Sequence, residues 1–259
     1  MIISKKNKFL YVKTLKTGST TSEFIISKYL SEKYFTTSLY EEEIYRKKYH
    51  KYNNPAVGIN FNDLFSYEYY STLYRYLKFL LKKNPKPTFF IIKRKFTPHM
   101  SLKKILANYQ EALNYSYITS IRNPITNLFS YYNWQKKRKI ESSDAKSKTY
   151  ANFDKFVKEN AYSFFSQQLG ILGDNLSAYD FVIKYEDFEN NLNQFGETYL
   201  DKKNLGSLLK DIHFKKTAHE NQTINLSKDS LDIILNASKP IINKFYKNDL
   251  LSDASIKIN

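Results

Sequence analysis

Short apolar runs alternate along the chain with longer stretches in which apolar residues recur every three to four positions. That alternation predicts strands separated by helices. Phe9–Val12, FLYV, reads as a buried strand. It stops at Lys13-Thr14-Leu15-Lys16, turns through Thr17-Gly18-Ser19, and restarts with helical spacing at Phe24, Ile25, Tyr29 and Leu30. Ser19, Thr20 and Thr21 are the expected N-cap residues, with Glu23 in the first turn.

Downstream, Ser31–Lys51 is polar and tyrosine-rich, with Glu41, Glu42 and Glu43 ahead of Arg46, Lys47 and Lys48, the pattern of a solvated helix. A short strand is predicted at Ala56–Ile59 and a helix at Asp63–Lys83, ended by the KNPKP stretch. Thr88–Phe96 reads as a strand with a basic exit, Ser101 to about Ala112 as a helix, and Ser116–Ile121 as a strand that delivers Arg122. Asn123-Pro124 opens a helix, with proline at a favourable first-turn position. Lys136–Lys148 is basic and serine-rich, as in a mobile linker. Asn152–Leu169 follows as helix and Tyr179–Lys184 as strand, then helices at Asn190–Tyr199, Leu205–Ile212 and Lys228–Tyr246. The expected fold class is therefore α/β, with a mainly parallel central sheet flanked by helices on both faces. No internal repeat or composition break divides residues 1–259, so a single domain is expected.

Composition narrows the chemistry. Lysine and arginine (41) outnumber aspartate and glutamate (25), giving a net charge of +16 that favours anionic partners. With no cysteine in the chain, disulfides, thiolate catalysis and cysteine-ligated metals are excluded. The N-terminus has no apolar signal-peptide core, and no run reaches the roughly 20 apolar residues of a membrane span, so a soluble, cytoplasmic protein is expected. Tyrosine (23) and phenylalanine (19) are abundant enough for aromatic packing and sugar-stacking surfaces.

The strand, small-residue turn and helix start at residues 9–30 make an anion site. Free backbone N–H groups and the positive end of the helix dipole point at the turn. Lys16 enters that turn with a full charge. A nucleotide P-loop would need GxxxxGK[ST], and no Gly-Lys-Ser/Thr occurs in the chain.

KTGSTT directly after a strand resembles the 5′-phosphosulfate loop of sulfotransferases, enzymes that use 3′-phosphoadenosine 5′-phosphosulfate (PAPS). A second stretch, SIRNPITNLFS, is similar to that family's arginine at a strand end followed eight residues later by a helical serine, here Arg122 and Ser130. The motif layout looks most like that of the uronyl and heparan sulfate 2-O-sulfotransferases, and the likeness covers most of the chain from Phe9 onward. The resemblance implies a P-loop-like 5′-phosphosulfate loop after the first strand, in which Lys16 neutralises the leaving phosphate. Thr17, Gly18, Ser19, Thr20 and Thr21 would donate hydrogen bonds to the phosphosulfate; the family often has serine where Thr21 stands. Arg122 and Ser130 would hold the 3′-phosphate. His99, in an HMS segment 23 residues before Arg122, resembles the catalytic histidine of the 2-O-sulfotransferases. Glu41, Glu42 and Glu43 stand in reserve as bases. PAPS would be donor and 3′-phosphoadenosine 5′-phosphate (PAP) the product, with no metal required.

The residues themselves bear on some of these roles. Ile125, Leu128, Phe129 and Tyr132 form the apolar stripe of their helix, and Ser130 falls opposite it with Asn127, Trp134 and Lys137. Ser130 is therefore expected outside the core. Trp134 could line a ligand site or simply pack. Lys93, Arg94, Lys95 and Lys136–Lys139 could hold the carboxylates or sulfates of an acidic glycan, or be solvated charge. Lys215–Asn221 stands where the family closes a loop over the nucleotide, and Tyr185-Glu186-Asp187-Phe188 resembles a YEDF-like segment read as architectural.

The expected partner is a carbohydrate or polysaccharide acceptor, anionic by the charge argument, and a homo-oligomer is possible. Two readings compete. One is a non-enzymatic nucleic-acid or polyanion binder, against which the basic residues are dispersed and no such motif occurs. The other is a nucleotide kinase, which would lack its phosphate-binding lysine.

Overall fold

The computed structural model describes residues 1–30, 34–36, 98–142, 150–212, 223–247, 250 and 256–258. The helix expected over 63–83, the strands over 56–59 and 88–96, Glu41 to Glu43, Lys93 to Lys95 and the segment 215–221 lie outside the described residues.

The chain begins with a hairpin. β1 (Ile2–Ser4) pairs antiparallel with β2 (Phe9–Val12), so FLYV is the second strand, not the first as the sequence suggests. Three residues are too few to show a period, and β1 is recognisable only because β2 pairs with it. After α1 (Ser19–Lys28) comes β3 (Tyr34–Thr36), where a polar helix is expected. Its Tyr-Phe-Thr sequence suits a strand once β1 offers an edge. α2 (Leu102–Asn108) ends short of Ala112 in a 3-10 turn, Gln110–Asn114. β4 (Ser116–Ile121) and α3 (Pro124–Ser142) follow. α3 extends through seven residues of the expected linker, since Lys, Arg, Ile and Glu are good helix formers.

α4 (Phe153–Leu172), β5 (Phe181–Lys184) and α5 (Phe188–Phe195) come next. α5 passes into a π-turn at Gly196–Leu200, and Leu205–Lys210 is 3-10. β6 (Ile224–Leu226) and β7 (Ile256–Ile258) pair in a small separate sheet. The single helix expected over 228–246 is two, α6 (Lys228–Ala237) and α7 (Lys239–Phe245), because Pro240 cannot donate to the ladder and starts a new helix.

The main sheet has the order β3-β1-β2-β4-β5. β2, β4 and β5 are mutually parallel and β1 alone runs against the rest, so the sheet is mostly parallel and the fold is α/β. Alternate residues of β2 enter different cores. Phe9 and Tyr11 join Phe24, Ile25, Leu192 and Phe195, from α1 and α5. Leu10 and Val12 join Ile105, Ile125, Phe156 and Ile234, from α2, α3, α4 and α6. Helices thus cover both faces. The C-terminal ends of β2, β4 and β5 share one edge, where open α/β sheets bind ligands.

Beneath that edge lies a buried charge cluster. Lys13 Nζ is 2.7 Å from Glu23 Oε2, and the Met1 amine is 3.2 Å from Glu23 Oε1, with all three groups almost wholly out of water. Glu23, expected in the first turn of the helix, is the buried counter-ion of the strand end. Removing one partner of a buried pair leaves a desolvated charge behind. Glu23→Ala is expected to lower stability by about 3–5 kcal/mol, read as a drop in the urea midpoint without a change in slope. An unchanged midpoint would show the cluster to be hydrated.

Candidate functional site

β2 leaves the sheet at Val12 opposite Thr119 of β4, and the chain then forms the loop Lys13–Gly18. The loop is held from inside. The Thr14 hydroxyl bonds the Ser120 carbonyl and lies 2.8 Å from the Thr17 hydroxyl. Ser19 Oγ donates to the Thr14 carbonyl at 2.6 Å. Gln168 of α4 grips Leu15 twice, accepting from its N–H at 3.0 Å and donating to its carbonyl at 2.6 Å. Below, Tyr11 Oη meets Ser120 Oγ at 2.6 Å, and burial pushes its phenol well above the ordinary range, so it stays a neutral hydrogen-bonding strut.

Two left-handed residues shape the turn, Lys16 at φ 59° and Gly18 at φ 72°. The lysine tolerates this conformation at some cost. At Gly18 the need is double, since a Cβ would lie 2.9 Å from Tyr185 Cδ2. Gly18, not Ser19, is the N-cap, and the helical ladder starts at Ser22 N–H to Gly18 C=O, 3.0 Å. The N–H groups of Ser19, Thr20 and Thr21 precede that first rung and have no acceptor within the helix. Of the five expected phosphosulfate contacts, the Thr17 and Ser19 hydroxyls bond within the loop, to the Thr14 hydroxyl and the Thr14 carbonyl.

His99 reaches this loop from a segment distant in sequence. Its Nδ1 lies 3.0 Å from the Lys13 carbonyl. A carbonyl can only accept, so Nδ1 is the donor in this contact, and Nε2 is the nitrogen that holds the lone pair whenever the ring is neutral.

Arg122 stands at the end of β4. Its Nε donates to Thr126 Oγ1 at 3.1 Å, and its guanidinium lies 4.1 Å from the centre of the Tyr185 ring. The same ring packs against Gly18, so Tyr185 joins Arg122 to the loop. Glu186 accepts from Asn123 N–H at 2.6 Å and from Tyr246 Oη at 2.9 Å. With Asn123 Oδ1 capping Ile125 at 3.0 Å, this fixes where α3 begins, and hence where Arg122 points. Burial, reinforced by the Glu186 charge, raises the Tyr246 phenol and keeps it a donor.

The polar face of α3 departs from expectation. Ser130 is only 8% exposed and Asn127 4%, so neither is a surface residue. At Asn127 and Trp134 the far side of the helix turns toward the loop. Lys16 Nζ sits 5.6 Å from the Trp134 ring, and Asn127 lines a narrow cleft with Thr14, Thr17 and Arg122. Asn127, Ser130 and Trp134 follow at i, i+3 and i+7, one face of the helix.

Lys16, Gly18, His99 and Arg122 are thus gathered at one sheet edge, with Ser130 on the helix face turned toward it. Gln168 and Asn127 have no role in the sequence reading. Gln168 carried a signal, a polar residue between Phe165 and Leu172 in the apolar stripe of α4, whereas Asn127, opposite the stripe of α3, carried none. Among the described residues no group of three or more His, Asp or Glu side chains could hold a metal ion, and no helix is long and apolar enough to cross a membrane. Comparison with protein-family models, curated proteins and solved structures finds no match to this chain.

Proposed function

We propose that this chain is a PAPS-dependent sulfotransferase, acting as one cytoplasmic domain on a hydroxyl of a carbohydrate, with an acidic glycan the acceptor that the +16 charge favours. One observation carries the reading. Two residues 23 positions apart both meet the Lys13–Gly18 loop: His99 at the Lys13 carbonyl, and Arg122 through the Tyr185 ring that packs on Gly18.

In this reading the 5′-phosphosulfate lies over the N-terminus of α1. The acceptor oxygen attacks sulfur in line, the S–O bond to the leaving phosphate breaks, and PAP departs. The hydroxyl proton passes to His99 Nε2. Lys16 meets the charge that develops on the bridging oxygen, and the first-turn N–H groups hold the phosphate oxygens. Arg122 binds the 3′-phosphate, which does not react.

Calorimetric binding of PAP at moderate salt, against adenosine monophosphate and ATP, tests the donor. Micromolar binding that requires the 3′-phosphate is expected. Arg122→Ala should weaken it roughly 10- to 100-fold, the worth of a charge-assisted bidentate contact. Equal binding of all three nucleotides, with steep salt dependence, would replace this reading with that of a polyanion binder.

A further inference from the structure

Asn127 is buried to 4% exposure, yet its Oδ1 has no hydrogen-bond partner. A buried amide left unpaired costs stability, so a chain that keeps one has a use for it. Asn127 belongs to the cleft bordered by Thr14, Thr17 and Arg122, on the face of α3 that continues through Ser130 to Trp134 and Lys16. With Oδ1 unbonded, no contact at that atom fixes which end of the amide is oxygen and which nitrogen, so Nδ2 is not committed away from the cleft that Asn127 lines. The Thr14 and Thr17 hydroxyls are spent on each other and on the Ser120 carbonyl, so the cationic guanidinium and an amide N–H are the cleft's donors for a phosphate.

From this we infer that Asn127 is a ligand-contacting residue whose Nδ2 donates to the phosphate that Arg122 binds. It thereby helps the site distinguish a nucleotide with a 3′-phosphate from one with a 3′-hydroxyl. The inference rests on the proposed PAPS site and adds to it a contact that sets donor specificity. The backbone of α3 is already fixed there by Asn123, whose carbonyl accepts from Asn127 N–H at 2.8 Å, so the side chain is spared for the ligand.

The test is a binding table of PAP and adenosine monophosphate against the unaltered protein, Asn127→Leu and Asn127→Asp, with thermal melts of each. Asn127→Leu should weaken PAP about tenfold, or 1.4 kcal/mol, and leave adenosine monophosphate unchanged. Its melting temperature without nucleotide should rise by about 2 °C, because an unpaired polar group has gone. Asn127→Asp should weaken PAP on the order of a hundredfold, since a carboxylate repels the phosphate. Three results would overturn the inference: Asn127→Asp binding PAP normally, both nucleotides losing affinity alike, or Asn127→Leu melting lower than the unaltered protein. The last would mean the amide serves the fold. Failure of the donor reading itself shows separately, as no preference for PAP in the unaltered protein, and the inference falls with it.

Discussion

Lys16→Ala is expected to reduce sulfuryl transfer by roughly 10²- to 10³-fold, the usual cost of deleting one preorganised charge-stabilising group. The lysine stands at φ 59° between the strand end and Gly18, a backbone that alanine adopts with no more strain than lysine. Its contact with Trp134 at 5.6 Å is a partly exposed cation–π pair worth about 0.5–1 kcal/mol. The effect should fall on kcat. The ammonium is needed most when the bridging oxygen gains charge, so PAP affinity should change far less than the rate. Single-turnover transfer from PAPS, with PAP binding measured alongside, separates the two. A Lys16→Ala protein with near-normal turnover would remove the loop from the chemistry.

His99→Ala is expected to slow transfer by about 10²- to 10⁴-fold, the range for loss of a general base. PAP binding should be unaffected, since the imidazole meets the loop at the Lys13 carbonyl and not at the first turn of α1. This contrast makes the two variants informative together: both lose rate, and only Lys16→Ala disturbs contacts to the phosphosulfate. In the unaltered protein kcat should fall on the acid side as the ring takes a second proton and Nε2 loses its lone pair, and His99→Ala should flatten that limb. If His99→Ala turned over normally, the base would be sought among Glu41, Glu42 and Glu43.

Much of the frame is legible because its signals are local. FLYV, SYITSI and FVIK are short runs rich in β-branched and aromatic residues, which favour strands, and each is a strand. Pro124 opens α3 as its fixed φ and missing N–H suggest. The turn at Gly18 reads from sequence too, since no other residue so readily adopts φ 72° beside an aromatic ring. Signals that depend on a distant partner fail. β1 and β3 are strands because they pair with each other, and neither is long enough to declare itself.

The same division runs through the candidate site. By itself the sequence determined the alternation of strands and helices, the strong positive charge, the absence of thiol chemistry, and the loop-then-helix start that favours an anion. These follow from residue type and spacing along a few turns of chain. Tertiary structure decided which residues meet. Glu23 became the buried partner of Lys13, His99 came to the Lys13 carbonyl across 86 positions, and on the far face of α3 Ser130 and Asn127 were buried, Asn127 beside the loop's Thr14 and Thr17. Helical periodicity reports where an apolar stripe points and cannot report what a neighbouring loop lays over the opposite side. That depends on parallel strand pairing, a contact between segments more than a hundred residues apart, which carries the ends of β2 and β4 to one edge.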